Sequence, residues 1–272
     1  MVTQAQKGRT FRELHQRDRA LIIPNPWDVG TARLLESLGF EALATTSAGF
    51  AFSIGKADGA VDRETMLAHA AALVAATDLP VSADLENGYA DNPVQVAETV
   101  RMAAQAGLAG CSIEDVPQGR GESPYAIALA AERVRAAAEA AHSLPFPFTL
   151  TARAENFIVG RPDLRDTIAR LEAFQQAGAD VLFAPGLKTR ADIAIVVKSV
   201  DRPINVIMGL EGVQLSLADL SELGVKRVSV GSALARSAMG AFLRAAREME
   251  ARGTFTFAED AVKYGELNAM FQ

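Results

Sequence analysis

Glycine punctuates this chain at the same place in a recurring unit. A short apolar run is followed by polar or glycine residues, then by a longer amphipathic stretch, then by a glycine ahead of the next apolar run. Gly39, Gly107, Gly178 and Gly224 each close such a stretch, and glycine just past a helix accepts the left-handed conformation that ends the last turn. The pattern predicts strands over 21–24, 42–46, 81–85, 110–114, 148–154, 181–184, 204–208 and 228–230. Helices are predicted near 30–38, 62–77, 93–106, 124–142, 163–177, 190–199, 215–223 and 233–251. Two helix starts are explicit. Asp91-Asn92-Pro93 and Arg161-Pro162-Asp163 each combine a capping side chain with a proline.

Eight alternating strand–helix pairs define an α/β chain with a parallel sheet and right-handed crossovers. Such a sheet either closes into a (β/α)8 TIM barrel or stays open and doubly wound. No GxGxxG follows the first strand, which removes the usual dinucleotide-binding version of the open sheet. The expectation is therefore one barrel domain over 1–272, with a leading helix at 11–19 and a C-terminal extension over 252–272. That tail carries Phe255, Phe257, Tyr264, Leu267 and Phe271. It packs either on its own barrel or on a neighbouring subunit.

Composition excludes several functions. A net charge of -6 without a basic block argues against nucleic acid as a partner. A single cysteine rules out an internal disulfide and a four-cysteine zinc site, and points to a reducing compartment. No run approaches the roughly 18 apolar residues of a membrane span, and the first twenty residues lack the apolar segment of a signal peptide. The expected location is cytoplasmic, with no membrane partner.

Barrels of this kind keep their chemistry at the C-terminal strand ends. Polar residues gather there: Thr45-Thr46-Ser47-Ala48-Gly49 ahead of a long loop, Asp84-Leu85-Glu86-Asn87, Ser112-Ile113-Glu114-Asp115, Arg153-Ala154-Glu155, and Asn205. Side chains alternate faces along a strand. Asp84 with Glu86, Ser112 with Glu114, and Arg153 with Glu155 are thus expected to face the barrel mouth, with Leu85, Ile113 and Ala154 toward the helices. Converging carboxylates raise one another's pKa unless a cation joins them, and a hard divalent ion such as Mg²⁺ suits an oxygen site. Arg153 suits a substrate carboxylate. Each acid taken singly also fits a structural role, capping the next helix or pairing with an arginine.

Other chemistries lack their residues. His15, His69 and His142 all fall in helical stretches, away from the strand ends where a histidine base or zinc ligand is needed. No lysine lies within a strand toward the mouth, as a Schiff base requires. Cys111 falls on the face opposite Glu114 and reads as a buried structural thiol. The glycines near 209–212 and 231 are a weak phosphate-cradle signal.

Taken together, SADLENGY, SIED, TARAEN and TSAGFAFSIGKADG resemble the phosphoenolpyruvate mutase/isocitrate lyase superfamily, over roughly 22–232. The resemblance implies an (α/β)8 barrel with a leading helix, assembled as a homotetramer with a C-terminal helix exchanged between subunits. It implies a Mg²⁺-dependent enzyme, with Mn²⁺ as a substitute, acting on a small 2-oxo acid as a lyase, decarboxylase or phosphonomutase through an enolate. Asp84 would be the principal metal ligand, with Glu86 and Glu114 holding metal-bound waters. Arg153 would grip the substrate carboxylate and oxo oxygen, Ser47, Ala48 and Gly49 would contact the carboxylate, Asp58 would act from the mobile loop after strand two, and Asn205 would lie near the substrate. Arg153, Asp58 and Glu114 are the catalytic candidates.

The departures narrow the assignment. Isocitrate and methylisocitrate lyases carry a catalytic cysteine with a histidine in the loop after strand four. Here 116–123 reads VPQGRGES, with neither. The phosphonate branch places a lysine and an asparagine in that loop, and only Arg120 offers a cation here. Glu86 replaces the commoner aspartate. Cleavage of isocitrate or methylisocitrate is not expected. The alternative is a barrel that binds metal and oxo acid without lyase turnover.

Overall fold

The computed structural model describes residues 2–118 and 123–272. Eight parallel strands form a nearly closed barrel: β1 (Leu21–Ile23), β2 (Leu43–Ala44), β3 (Val81–Asp84), β4 (Gly110–Glu114), β5 (Thr149–Arg153), β6 (Val181–Phe183), β7 (Ile204–Ile207) and β8 (Arg227–Ser229). Their hydrogen-bonded order is β1-β8-β7-β6-β5-β4-β3-β2. The two end strands meet where the Ala44 N–H donates to the Pro24 carbonyl at 3.1 Å. Asn25 reinforces that seam. Its Nδ2 donates to the Thr45 carbonyl, and its Oδ1 accepts from the N–H groups of Val230 and Gly231, all at 2.9 Å. The chain thus forms the (β/α)8 TIM barrel its sequence predicts.

The strands are outlined by helices α2 (Val29–Ser37), α4 (Arg63–Ala76), α5 (Pro93–Gln105), α6 (Ile127–His142), α7 (Leu164–Gln176), α8 (Arg190–Ser199), α9 (Leu217–Glu222) and α10 (Ala233–Arg252). Gly39, Gly107, Gly178 and Gly224 all take left-handed φ values, as their positions after helices require. Asn92 and Asp163 cap α5 and α7 through their side chains. Leu85, Cys111, Ile113, Ala152 and Ala154 lie in the main core between strands and helices, so strand parity holds on that face. Burial pushes the Cys111 thiol pKa up, and Asp180 adds to it, which leaves it the inert thiol its position implies.

The leading helix differs from expectation. It is α1 (Gln4–Leu14), not 11–19, because Thr3 and Gln6 form a reciprocal capping box at its start. It plugs the barrel floor, where Phe11 and Leu14 pack with Leu21, Ile23, Ala42 and Ala109. The plug needs a glycine in β4, since a Cβ on Gly110 would lie 2.4 Å from the Thr149 carbonyl oxygen and 3.1 Å from Phe11. The loop expected after strand two also differs. Residues Ser47–Ser53 form helix α3 because Thr46 caps it, its hydroxyl accepting from the Gly49 N–H at 3.1 Å.

The tail holds a short 3-10 turn over Thr256–Glu259 and helix α11 (Tyr264–Ala269), neither with a buried residue. Phe242 of α10 and Phe255 and Tyr264 of the tail are 70%, 66% and 86% exposed. Among the described residues no helix is long and apolar enough to cross a membrane.

Candidate active site

A cavity of about 240 Å³ opens at the C-terminal end of the barrel, lined by residues that include Ser47, Ala48, Asp58, Asp84, Arg153, Glu155, Asn205 and Arg227. Arg153 ends β5 and stands at its centre. Its Nη1 lies 2.8 Å from Asp84 Oδ1 and 3.4 Å from Glu114 Oε2, and its Nε donates to Glu155 Oε1 at 2.8 Å. The guanidinium carbon sits 5.1 Å from the Phe183 ring centroid, a cation–π contact. Burial opposes the Arg153 charge, but Glu155, Asp84 and Glu114 outweigh it and raise the pKa above the usual arginine range.

The carboxylates feel the opposite balance. Burial raises the Glu114 pKa well above its ordinary value, Arg153 pulls it down, and Glu155, Asp84 and Glu86 push it up. Burial likewise raises Glu155, opposed by Arg153. Three carboxylates on one guanidinium leave an excess of negative charge, which is the condition a divalent cation relieves. Among the described residues no group of three or more His, Cys, Asp or Glu side chains forms a ready-made metal cage. Mg²⁺ does not need one, since it commonly keeps several waters and uses one or two carboxylates. The donor set therefore fits such an ion.

Parts behind the cavity hold these groups still. Ser47 begins α3, and its N–H and hydroxyl both donate to Asp84 Oδ2, at 3.3 and 3.0 Å, while its hydroxyl also lies 3.3 Å from Asp58 Oδ1. The Asp84 N–H donates to the Thr45 hydroxyl. Glu155 is fixed by Asp115, whose Oδ1 accepts the Glu155 N–H at 2.8 Å. Asp115 in turn pairs with Arg170 of α7 at 2.9 Å. Fully buried Arg133 of α6 donates to the carbonyls of Glu114, Asn87 and Ala90, with its guanidinium 4.3 Å from the Tyr125 ring centroid. It ties the ends of β3 and β4 together.

The predicted residues separate into groups. Ser47, Ala48, Asp58, Asp84, Arg153 and Asn205 line the cavity, and Glu114 reaches Arg153 from its rim. Gly49 is not brought there. It is buried beneath the cavity, its N–H is taken by the Thr46 cap, and an added Cβ would lie 2.5 Å from the Thr46 methyl. Strand alternation does not extend to Glu86, because β3 ends at Asp84 and Glu86 has a left-handed φ of 48°. Glu86 is buried, and its carbonyl accepts the Glu114 N–H at 2.9 Å. Arg120 lies outside the described residues. Two charged residues of the cavity, Glu155 and Arg227, were not given a binding or catalytic role. Glu155 shares a face with Arg153, which was a usable signal. Arg227 sits at the beginning of β8, where strand ends give no cue.

The sequence profile of the phosphoenolpyruvate phosphomutase family matches residues 11–250. A crystal structure from Burkholderia cenocepacia J2315, provisionally described as a lyase/mutase, superposes with a TM-score of 0.95 at 60% identity, covering 98% of this chain and 96% of that one. An uncharacterized protein of Mycobacterium tuberculosis is 35% identical over 240 residues, 88% of either chain. An oxaloacetate decarboxylase of Paraburkholderia xenovorans is 29% identical over 83% of this chain and 75% of its own.

Proposed function

This chain belongs to the phosphoenolpyruvate phosphomutase family, within the phosphoenolpyruvate mutase/isocitrate lyase superfamily, and on that premise we propose that it cleaves or rearranges a C–C or C–P bond of a small 2-oxo acid through an enolate. Members of the superfamily are lyases and mutases that act on oxo acids, and they are generally divalent-metal dependent. The observation that carries the proposal is the meeting of Asp84, Glu114 and Glu155 on Arg153 at the wall of a small cavity.

Asp84, Glu86 and Glu114 would hold a divalent cation, Mg²⁺ or Mn²⁺. When bound, the ion supplies Lewis acidity toward the oxo oxygen. Arg153 holds the 2-oxo-carboxylate end by a forked, charge-assisted contact. As the bond beyond C3 breaks, its electrons pass into the C2–C3 enolate, and the Arg153 guanidinium stabilises the charge developing on the oxygen. Ser47 anchors Asp84 and links it to Asp58, so that closure of the segment around Asp58 excludes water from the enolate. A chain without cysteine or histidine across 116–123 lacks the groups used for isocitrate or methylisocitrate cleavage. The same absence supports the second reading, a barrel that binds metal and oxo acid without turnover.

Solvent-deuterium exchange into pyruvate, with Mg²⁺ or with chelator, separates the two. Turnover predicts metal-dependent exchange that falls about 10²–10³-fold in Arg153→Ala and Asp84→Ala. Oxalate binding without exchange or turnover of any 2-oxo acid supports the second reading. Exchange unchanged in both variants refutes the enolate assignment.

A further inference from the structure

Arg227 is 5% exposed and lines the same cavity as Arg153. Both belong to one row across the sheet, in which Arg153 pairs with Phe183, Phe183 with Asn205 and Asn205 with Arg227. Three strand steps of about 4.8 Å separate their backbones, a gap that two long inward side chains narrow. Among the described residues the only hydrogen bond from Arg227 runs from Nε to Asn205 Oδ1 at 3.0 Å, with Asn205 Nδ2 locked on the Ser229 hydroxyl at 3.0 Å. Nη1 is buried, with no hydrogen-bond partner among the described residues. Among the described residues no carboxylate pairs with this guanidinium, in contrast to the three around Arg153. Burial, and then the like charge of Arg153, lower the Arg227 pKa to about 9, so it stays charged at neutral pH.

What faces Arg227 does not compensate that charge. Asn205 and Ser229 are neutral. His15, just past the end of α1, is held neutral by burial and then by Arg227 itself, with its pKa at about 3. A buried cation without a counter-ion is costly, and the open side of this one is the cavity. At about 30 Å³ per water the cavity has the volume of about eight waters, which suits a four- or five-carbon acid.

We propose that Arg227 forms a second anion subsite on the floor of the cavity, which takes the far acidic group of a 2-oxo acid whose near end lies on Arg153. Arg227 is then the residue that sets a preference for a 2-oxo acid with a far anionic group over a monocarboxylate. The inference rests on the reading of Arg153 given above. Asn205 is a positioning residue in this scheme, since it orients the Arg227 fork through Nε.

The test compares oxaloacetate and phosphonopyruvate, which carry a far anionic group, with 2-oxobutanoate, which does not. Oxalate reports the near end alone. Affinities are measured on the full-length, Mg²⁺-loaded chain, by calorimetry or by competition with oxalate. Wild type is expected to favour at least one dianion over 2-oxobutanoate by about 10–100-fold, the range of a charge-assisted hydrogen bond. In Arg227→Met that preference collapses toward one while oxalate affinity stays within about twofold, and in Arg227→Lys it is intermediate. Because the methionine removes an uncompensated charge, the ligand-free variant is expected to melt at or above wild type. Four results overturn the subsite: no dianion preference in wild type, a preference that survives Arg227→Met, a much lower melting temperature in both variants, or a response of Arg227 to chloride alone. Failure of oxalate to bind wild type defeats the Arg153 reading instead, and the premise with it.

Discussion

Asp115 lies behind the cavity without touching it, so its removal tests the support of the site. Its carboxylate is 2% exposed. It accepts the Glu155 N–H at 2.8 Å and the Arg170 guanidinium at 2.9 Å. Burial raises its pKa despite both partners, so the ionised form is held at a cost. Asp115→Ala leaves Arg170, itself 7% exposed, without its buried partner. Breaking such a pair from one side costs about 3–5 kcal/mol. Arg170 retains Asp166 at 2.8 Å and the Tyr125 carbonyl at 2.8 Å, which places the cost near the lower bound, about 3 kcal/mol. At about 2–4 °C per kcal/mol for a chain of this size, the melting temperature should fall by about 6–12 °C. Calorimetry on the wild type, Asp115→Ala, Arg170→Met and the double variant measures both the loss and the coupling. The double variant should recover part of the single loss, since it removes both buried charges. A fall below about 2 °C in Asp115→Ala, or strictly additive effects, would refute the claim that the pair supports Glu155.

Two further outcomes are expected. His15 is buried with a folded pKa of about 3, against 6.5 unfolded. Its contribution is therefore complete above pH 6.5 and is lost as pH falls toward 3. Between pH 7 and 5 the wild type should lose roughly 2 kcal/mol relative to His15→Gln, and urea titrations showing a constant gap between the two would contradict it. Deletion after Arg252, followed by light scattering, tests whether the exposed tail packs on a neighbouring subunit, as the family resemblance implies. The measured mass should drop, and an unchanged oligomer would exclude the tail from the interface.

Most of the barrel was legible because its marks are local. A glycine with a left-handed φ after a helix, as at Gly39 or Gly224, follows from backbone sterics that any reader of sequence can apply. So do the caps at Asn92 and Asp163. Helix α3 was missed because its start depends on one threonine side chain turning back on Gly49 inside a segment that otherwise reads as loop. The cluster at Arg153 was foreseeable from alternation in β4 and β5, and Glu155 was visible on the same ground. Alternation gives no guide to Glu86, because the backbone turns left-handed past Asp84. Arg227 was invisible for a different reason. It begins its strand rather than ending it, and only the length of its side chain and the register of four strands bring it to the cavity.

The hoop formed by the eight strands is not equally strong around its circumference. Seven of its joints are ladders, whereas the one between β1 and β2 relies on the Ala44–Pro24 hydrogen bond and on the carboxamide of Asn25, which reaches three strand ends with three hydrogen bonds. An aspartate there would present an oxygen to the Thr45 carbonyl where a nitrogen now sits. Repulsion would replace attraction at the thinnest point of the wall, directly beside Thr46 and Ser47. The integrity of the ring and the placement of the groups that meet the substrate thus depend on the same amide.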